Sequence, residues 1–277
     1  MKQIKGLVLA GGGVLGTAHL GAVKILEEYG YKFDYFVGSS IGAFIATVLA
    51  CRCPSNQFEE LIKDLDYSKI TSGTNIIFEL KDLYQHKGLH STDNLRKMYS
   101  EVVKKITGNE NITFIEVYTK YGTHLAMTAT LLSNKSTVYF DHLTSPNMSV
   151  VDACIHSATV PFLFESTQYV DGGLLDNYPI KYLTKLIPIE SIIGLNFFKD
   201  QQDQEINNDQ SFYNFSCEIF SMLFQQAFKL HLTKSEKNQT IWINTFDIGS
   251  FNFNLSQQQK TSLFEYGMNA VKESQFK

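Results

Sequence analysis

The sequence predicts an α/β fold with a mostly parallel sheet, and three observations support this class. An apolar run at residues 4–10, helical spacing at 17–29 and a second apolar run at 33–37 are typical of a β-α-β unit. A later run at 191–198 has the continuous apolar character of a buried parallel strand. With 277 residues, 44% of them hydrophobic and 19% charged, the chain can bury a large core.

Periodicity and capping signals predict the other elements. Thr113 and Glu116 have the spacing of a capping box, and Gly122 follows as a helix stop. Ser149 opens a helix that Pro161 terminates. Further helices are predicted over 41–49, from an N-cap at Ser55 to residue 65, from Ser91 or Thr92 to residue 108, and over 255–271; further strands are predicted at 125–131, 137–140, 169–171 and 241–245. No internal repeat or domain boundary is visible, so we expect a single domain over residues 1–277.

Charge and cysteine content argue against nucleic-acid binding, a disulfide framework and a zinc site. A net charge of −4 gives no basic field for a phosphate backbone, which argues against nucleic acid as a partner. The four cysteines have neither a disulfide-framework density nor a zinc-like spacing, so we expect reduced thiols that pack in the interior. These residues are Cys51, Cys53, Cys154 and Cys217.

The chain shows no targeting or membrane-spanning segment. Its first apolar run stops at Ala10, which is too early for a signal peptide. No stretch reaches the roughly 18 apolar residues of a transmembrane helix. We therefore expect a cytoplasmic protein whose membrane contact, if it has one, is peripheral.

A G-x-S-x-G sequence lies between the second predicted strand and an apolar helix. It consists of Gly38, Ser39, Ser40, Ile41 and Gly42. A sharp strand-to-helix turn would expose the central serine, while the small flanking residues keep side chains off the backbone. The free N–H groups at the start of the helix would face charge that develops there. Ser40 is therefore the candidate nucleophile.

A glycine-rich loop after the first strand permits two interpretations. It contains Gly11, Gly12, Gly13, Val14, Leu15 and Gly16, which match G-x-G-x-x-G before a helix. A dinucleotide site also requires an acidic residue at the end of the second strand, and that strand ends in Val37, Gly38 and Ser39. The alternative is an oxyanion hole, in which the loop's backbone N–H groups converge beside Ser40.

The serine needs a base, and the order of residues narrows the choice. In an α/β-hydrolase the order is Ser, Asp or Glu, then His, and after Asp171 this requires His231, which falls within an amphipathic helix. Such hydrolases also place the elbow later in the sheet, so this triad is disfavoured. The other histidines show no ligand-like spacing and are expected to be surface or satisfied polar residues: His19, His86, His90, His124, His142 and His156.

Several motifs in this order resemble the patatin-like phospholipase family. They are the glycine loop, the Ser40 elbow, the stretches 152–158 and 161–164, and Asp171-Gly172-Gly173 continuing to Pro179. The resemblance covers residues 5–198, followed by an extension over 199–277. It implies a three-layer, modified α/β-hydrolase-like fold and hydrolysis of lipid acyl esters without a metal or cofactor. It also implies that Ser40 is the nucleophile, that Asp171 is the general base and that the glycine loop is the oxyanion hole.

One position departs from the family pattern. Leu15 stands where the family usually carries Arg or Lys, which leaves open a degenerate scaffold that binds lipid without turnover. Leu15→Arg, which restores the family residue, is expected to leave activity equal or higher.

The Phe-rich stretch 212–228 is a candidate for contact with a lipid surface. Phe220 and Phe224 lie beside its main apolar stripe and widen it beyond one buried face. The alternative is that both rings pack in the core. We expect a lipid substrate in either case.

Overall fold

A seven-stranded sheet organises the computed structural model, which describes residues 4–70, 87–199, 219–220, 222 and 232–277. Its strands, with those of a small second sheet, are β1 (Gly6–Leu9), β2 (Tyr35–Ser39), β3 (Gly88–His90), β4 (His124–Leu131), β5 (Ser136–Phe140), β6 (Phe162–Phe164), β7 (Tyr169–Asp171), β8 (Ile192–Phe198) and β9 (Thr240–Asn244). The α-helices are α1 (Gly16–Glu28), α2 (Ile41–Ala50), α3 (Phe58–Asp64), α4 (Asp93–Thr107), α5 (Phe114–Tyr121), α6 (Val150–Ala158), α7 (Gly173–Asp176), α8 (Ile180–Leu183), α9 (Lys234–Asn238) and α10 (Gln257–Glu273).

The strand order confirms the predicted mostly parallel sheet. The main sheet runs β5-β4-β2-β1-β8-β9, and β7 also pairs with β4. The β4/β2, β2/β1, β1/β8 and β8/β9 pairs are parallel, whereas β5 and β7 run antiparallel to β4. Strands β3 and β6 form a separate parallel pair.

Helices cover both faces of this sheet. Alternate residues of β1 belong to two different apolar clusters, because side chains of a strand point to opposite faces in turn. Leu7 and Leu9 pack in the larger cluster with α1, α2 and α10. Val8 packs in the smaller cluster with Ile180 and Leu183 of α8. The first strand is therefore buried on both sides, which explains why it reads as a continuous apolar run and confirms the three-layer α/β class.

Register places the ends of two distant strands next to each other. Strand β2 pairs with the first part of β4 and ends with Ser39 opposite Thr128. Strand β7 pairs with the rest of β4 and ends with Asp171 opposite Ala129. Since β5 occupies the other edge of β4 there, β2 and β7 lie in line on one edge. The residue after β2 and the last residue of β7 are thus brought together.

Helix caps agree with most of the sequence signals. Thr113 and Glu116 form a reciprocal capping box at the start of α5, which Gly122 ends in a left-handed conformation. The Ser149 side chain accepts from the N–H of Val151 at the start of α6. Ser55 is not the N-cap of α3, because it begins a 3₁₀ turn over Ser55–Gln57 and α3 starts only at Phe58.

The part of the chain beyond residue 198 completes the sheet and one helical layer. Strand β9 adds to the edge of β8, and α10 packs along α1. Glycines permit the close approach of these helices: a Cβ on Gly21 would meet the carbonyl of Phe264, and one on Gly267 would meet that of Ala18. Within the predicted extension over 199–277, residues 240–244 and 257–273 therefore contribute to the same core.

Several other sequence expectations can be compared with the described residues. Cys51, Cys53 and Cys154 are free and buried, while Cys217 lies outside the described residues. In the ranges given above, no helix is long and apolar enough to cross a bilayer. The same ranges contain no cluster of three or more His, Cys, Asp or Glu side chains suited to a metal ion.

The interpretation of Phe220 as a lipid-docking residue is wrong. Its side chain is buried and its ring lies 6.1 Å from that of Phe162. Phe224, with most of the 212–228 stretch, lies outside the described residues.

Candidate active site

Ser40 occupies a strained turn between β2 and α2. Its backbone has φ 52° and ψ −125°, a conformation that L-residues rarely adopt. The Ser40 N–H donates to Oγ of Ser157 on α6 at 2.8 Å, which ties the turn to the neighbouring helix. Nearly all of Ser40 is buried, with 8% of its surface exposed. The turn therefore has the geometry of a nucleophile elbow.

Glycines around Ser40 are required by backbone packing. A Cβ on Gly38 would collide with the carbonyl of Gly42. A Cβ on Gly42 would collide with the carbonyls of Leu9 and Ala10 at the end of β1. The small residues of the G-x-S-x-G sequence thus allow β1, β2 and α2 to meet closely beneath the serine.

The Ser40 hydroxyl donates to Oδ2 of Asp171 at 2.7 Å. Asp171 is fully buried at the end of β7, and its other oxygen, Oδ1, accepts from the N–H of Gly173 at 2.7 Å. Gly172 packs against Thr128, where a side chain would not fit. Because the turn after Asp171 holds one carboxylate oxygen, the other is directed at Ser40.

Burial raises the pKa of Asp171 to about 7, although hydrogen bonds from Ser40 and the Gly173 N–H act to lower it. The carboxyl group thus changes its protonation state near neutral pH. A group with such a pKa can both accept and return a proton under these conditions.

The glycine loop lies beside this pair and is held at its first residue by Asn177. The Gly11 N–H donates to the backbone carbonyl of Asn177 at 3.0 Å. In return, Nδ2 of Asn177 donates to the carbonyl of Gly11 at 3.3 Å. The Asn177 side chain fills the space that a Cβ on Gly11 or Gly173 would need. Asn177 thus links the loop to the turn that follows Asp171.

Two N–H groups of the loop remain available. Val14 donates to the carbonyl of Ser250 at 3.0 Å, and Gly16 donates to the carbonyl of Gly13. The N–H groups of Gly12 and Gly13 donate to no acceptor in the described part of the chain. Of the five predicted oxyanion-loop residues, Gly11, Val14 and Gly16 therefore shape the loop, while Gly12 and Gly13 can serve a ligand.

A mostly apolar cleft of about 530 Å³ opens above Ser40. This volume includes space that is open to solvent. Its lining residues are Gly12, Gly13, Ser40, Ile41, Tyr67, Ile70, Leu95, Tyr99, Ala158, Val160, Phe164, Asn177, Ser250, Phe251 and Phe253. The arrangement combines an apolar wall with a hydroxyl and two N–H donors, which suits an ester that carries a hydrocarbon chain.

Three of the described histidines contact groups other than Ser40. His19 is fully buried, its Nε2–H donates to the carbonyl of Ala10 at 2.9 Å, and burial lowers its pKa to about 4. Nε2 of His124 lies 2.9 Å from the Tyr182 hydroxyl, and the His156 ring packs on Tyr169. His86 and His231 lie outside the described residues.

Leu15 faces the core rather than the cleft. It is 4% exposed and belongs to the larger apolar cluster. An arginine on this backbone would bring its charge into that core, at a high desolvation cost. The effect of Leu15→Arg on activity stays a prediction, and the burial of Leu15 favours a loss of stability in that variant.

Sequence reasoning assigned no role to three residues that shape the site. Ser157 holds the Ser40 N–H, Asn177 holds Gly11, and Ser250 holds Val14. Ser157 and Asn177 lie within the stretches that resemble the family, so their positions were available as signals. Ser250 lies in no recognised motif and acts through its backbone, for which a single sequence offers no signal.

Comparisons with known proteins identify the family of this chain. A model of the patatin-like phospholipase family matches residues 7–184. The chain is 28% identical to an uncharacterized protein of Acanthamoeba polyphaga mimivirus, over 98% of this chain and 93% of that protein. It is 29% identical to a probable lipid hydrolase of Invertebrate iridescent virus 6, over 66% of this chain and 64% of that protein.

The fold is shared with a solved structure of low sequence identity. VipD from Legionella pneumophila superimposes with a TM-score of 0.65 at 17% identity, over 98% of this chain and 66% of VipD. The family match covers more than half of the 277 residues and includes both the Ser40 elbow and Asp171. The chain therefore belongs to the patatin-like phospholipase family of lipid ester hydrolases.

Proposed function

We propose that this chain hydrolyses acyl esters of phospholipids or related lipids through an acyl-enzyme on Ser40, with Asp171 as the general base. The observation that carries the proposal is the 2.7 Å hydrogen bond from Ser40 Oγ to Asp171 Oδ2 at the base of an apolar cleft. A serine hydroxyl is a weak nucleophile until a neighbouring base takes its proton. Asp171 is the group in position to do so.

In the first half of the reaction, the ester carbonyl carbon is attacked by Ser40 Oγ. The hydroxyl proton moves to Asp171 Oδ2 as the new C–O bond forms, and the carbonyl oxygen becomes an oxyanion. When the tetrahedral intermediate collapses, the bond to the leaving oxygen breaks and Asp171 returns the proton to that oxygen. The alcohol portion of the lipid departs and the acyl group stays on Ser40.

The oxyanion is proposed to bind the N–H groups of Gly12 and Gly13. Both groups lie at the cleft without an acceptor in the described residues, and oriented donors of this kind stabilise developing negative charge. Gly13 has φ 55°, and a side chain there would be strained and would collide with Ser250. Position 13 can therefore present its N–H group only as a glycine.

Water completes the cycle. The oxygen of a water molecule attacks the acyl carbon while Asp171 takes a proton from that water. The bond between the acyl carbon and Ser40 Oγ then breaks, and Asp171 returns the proton to Oγ. The products are a fatty acid and the free enzyme. A pKa of about 7 suits a group that must accept and donate a proton in turn near neutral pH.

The hydrocarbon lining of the cleft supports a lipid substrate. The side chains of Leu95, Tyr99 and Phe164 offer apolar contact to an acyl chain, which contributes about 0.8 kcal/mol per buried CH₂. The iridescent virus relative is named a probable lipid hydrolase, which favours the same substrate class. Peripheral contact with a membrane is part of the proposal, and Phe162, the first residue of β6 and 52% exposed, is a candidate for it.

A fluorophosphonate probe and a lipid panel test the proposal. The wild-type chain is expected to be labelled on Ser40 and to release fatty acid and lysolipid, whereas Ser40→Ala should lose both activities. Ser157→Ala is a useful comparison, because it removes the support of the Ser40 N–H and leaves the nucleophile in place. Labelling that persists at another serine in Ser40→Ala would refute the assignment.

The remaining interpretations make different predictions. In the triad interpretation, His231→Ala inactivates a folded enzyme and Asp171→Asn does not. A dinucleotide site would give a thermal shift with NAD, but the Ser250 carbonyl, an acceptor that would repel phosphate, lies against Gly13 where the pyrophosphate would approach. A degenerate scaffold would bind lipid vesicles and release no fatty acid.

A further inference from the structure

Ser250 lies in a segment that the family match does not include. The match ends at residue 184, whereas residues 248–253 follow β9, near the end of the chain. Even so, Ser250, Phe251 and Phe253 line the cleft above Ser40. The C-terminal part of the chain thus contributes directly to the candidate active site.

The contact between this segment and the glycine loop is made by backbone atoms. The Val14 N–H donates to the Ser250 carbonyl at 3.0 Å. The same carbonyl occupies the space where Gly13 would carry a Cβ, and Gly13 has a positive φ of 55°. Any other residue at position 13 would meet both backbone strain and this oxygen. The loop and the segment are therefore fitted to each other.

Two anchors bracket the available N–H groups. Asn177 holds the loop at Gly11, and Ser250 holds it at Val14. Gly12 and Gly13 lie between these two points, and glycine has more backbone freedom than any other residue. Without the second anchor, the peptide planes that carry both donors could rotate away from the cleft.

The segment is itself fixed to the sheet. The Thr245 N–H donates to the carbonyl of Phe198 at the end of β8, and the Ile248 N–H donates to the carbonyl of Thr245, each at 3.0 Å. Ile248 and Phe253 are buried in the larger apolar cluster. A turn between them is closed by the Asn252 N–H, which donates to the carbonyl of Gly249 at 3.2 Å. The Ser250 carbonyl is thus presented from a supported position.

We propose that the Ser250 carbonyl is a positioning group for the reaction, because it orients the Gly12 and Gly13 N–H groups toward the oxyanion through its hydrogen bond from Val14. This inference rests on the proposed function. It assigns the backbone of Ser250, outside the matched family region, a supporting role in the reaction. Such a role affects the rate of the chemical step and leaves ground-state binding of the ester unchanged.

The direct test replaces the amide at position 14 with an ester by incorporation of the α-hydroxy analogue of valine. This change removes the N–H that donates to Ser250 and keeps the Val14 side chain. The rate of fluorophosphonate labelling and kcat for a soluble short-chain ester are each expected to fall about tenfold to a hundredfold, with KM unchanged. Loss of one oxyanion donor outright costs roughly 10²–10³-fold, and misorientation should cost part of that.

A matched control uses the same chemistry at Ile115. Ile115 lies in the first turn of α5, its N–H donates to the carbonyl of Pro146 at 3.0 Å, and neither residue lines the cleft. The analogous ester at position 115 removes one backbone hydrogen bond of the same length, and isoleucine is β-branched like valine. We expect a similar change in melting temperature and a wild-type labelling rate.

Ordinary mutagenesis supplies a second pair of variants. Asn252→Pro removes the N–H that closes the turn around Ser250, whereas Asn252→Ala keeps it, and the Asn252 side chain is exposed. The proline variant should lower kcat without raising KM, and the alanine variant should match wild type. Wild-type labelling rates in both the position-14 ester and Asn252→Pro would overturn this inference alone. A wild-type chain that the probe does not label would instead refute the proposed function on which it rests.

Discussion

Two buried carboxyl groups beside β4 accept a hydrogen bond from a hydroxyl, yet their pKa values shift in opposite directions. Asp171 accepts from Ser40 at 2.7 Å, and Asp141 accepts from Tyr182 at 2.5 Å. Both side chains are shielded from solvent, with exposed fractions of 0% and 3%. The two acids differ in their hydrogen-bond partners and in the depth at which each carboxylate lies.

Asp141 is surrounded by donors. Besides the Tyr182 hydroxyl, its Oδ1 accepts from the N–H groups of Leu143 and Thr144, each at 2.7 Å, and from the Thr144 hydroxyl at 3.1 Å. Burial on its own would raise its pKa, but these hydrogen bonds outweigh burial and place the pKa below its usual value. Asp141 thus keeps its charge and anchors the turn after β5.

Asp171 has fewer donors and lies deeper in the protein. The Ser40 hydroxyl and the Gly173 N–H are its hydrogen-bond donors among the described side chains and turns, and burial dominates its raised pKa. A carboxylate with many donors holds a permanent charge, whereas one with few donors in an apolar site can exchange a proton. This difference separates a structural acid from a candidate base within one sheet.

The largest expected effect is on catalysis. Asp171→Asn should lower kcat for a soluble ester by at least roughly 10²–10⁴-fold, because the amide cannot accept the Ser40 proton. Asp141→Asn should leave the activity of the folded protein near wild type, since it touches neither Ser40 nor the cleft. Steady-state kinetics on both variants, normalised to the folded fraction by circular dichroism, measures the contrast. Comparable losses of kcat in the two would contradict it.

The pH profile of activity is expected to follow Asp171. The base must be ionised, so kcat/KM should fall about tenfold per pH unit as the pH drops below about 7, where burial places the Asp171 pKa. Asp141 stays ionised through this range because its pKa is lowered. A profile measured from about pH 5 to about pH 9 tests this, and an unchanged kcat/KM down to about pH 5 would exclude Asp171 as the titrating base.

The smallest expected effect is on stability, where the two acids have opposite signs. The pKa of Asp171 is higher in the folded than in the unfolded chain, so its contribution is favourable in acid and is lost as the pH rises toward 7. Asp171→Asn should therefore raise the melting temperature at about pH 8 more than at about pH 5. The lowered pKa of Asp141 makes its contribution to stability favourable at neutral pH. Asp141→Asn should therefore lower the free energy of unfolding by about 1–3 kcal/mol at neutral pH, and the melting temperature with it.

Thermal melts of both variants at the two pH values measure these shifts. The Asp141→Asn deficit should diminish only in more acidic solution, as pH falls through the lowered pKa of Asp141 in the folded protein. A destabilised Asp171→Asn at about pH 8 would show that the charged form of Asp171 supports the fold, contrary to the comparison.

Much of the fold was predictable because its signals are local. Strand β1, helix α1, the elbow and helix α2 each depend on apolar spacing and glycine placement within a short stretch. The capping box of Thr113 and Glu116 is similarly local and was predicted. The prediction of Ser55 as the N-cap of α3 was wrong, because a 3₁₀ turn over Ser55–Gln57 precedes α3. A serine after a proline can begin either a 3₁₀ turn or an α-helix, and the sequence does not distinguish the two.

Burial of individual aromatic and apolar residues was less predictable. Phe220 lies on an apolar stripe wide enough to suggest an exposed side, yet it packs near Phe162. Leu15 lies in the glycine loop, yet its side chain faces the core. A helical or loop pattern states which residues share a face but not which neighbouring element covers that face.

The sequence by itself determined the class of the fold and the candidate nucleophile, because both depend on residues close together in the chain. It also determined the family and the candidate base, through the order of several short motifs over residues 5–198. Tertiary structure alone decided that Ser40 and Asp171 meet, since they are 131 positions apart and only the shared edge of β4 aligns β2 with β7. It also decided the pKa of Asp171, which depends on burial, and the contact of Ser250 with Val14, which depends on backbone atoms common to every residue. Every residue carries the same backbone carbonyl, so the sequence does not indicate which carbonyl contacts Val14, and only the folded chain shows it.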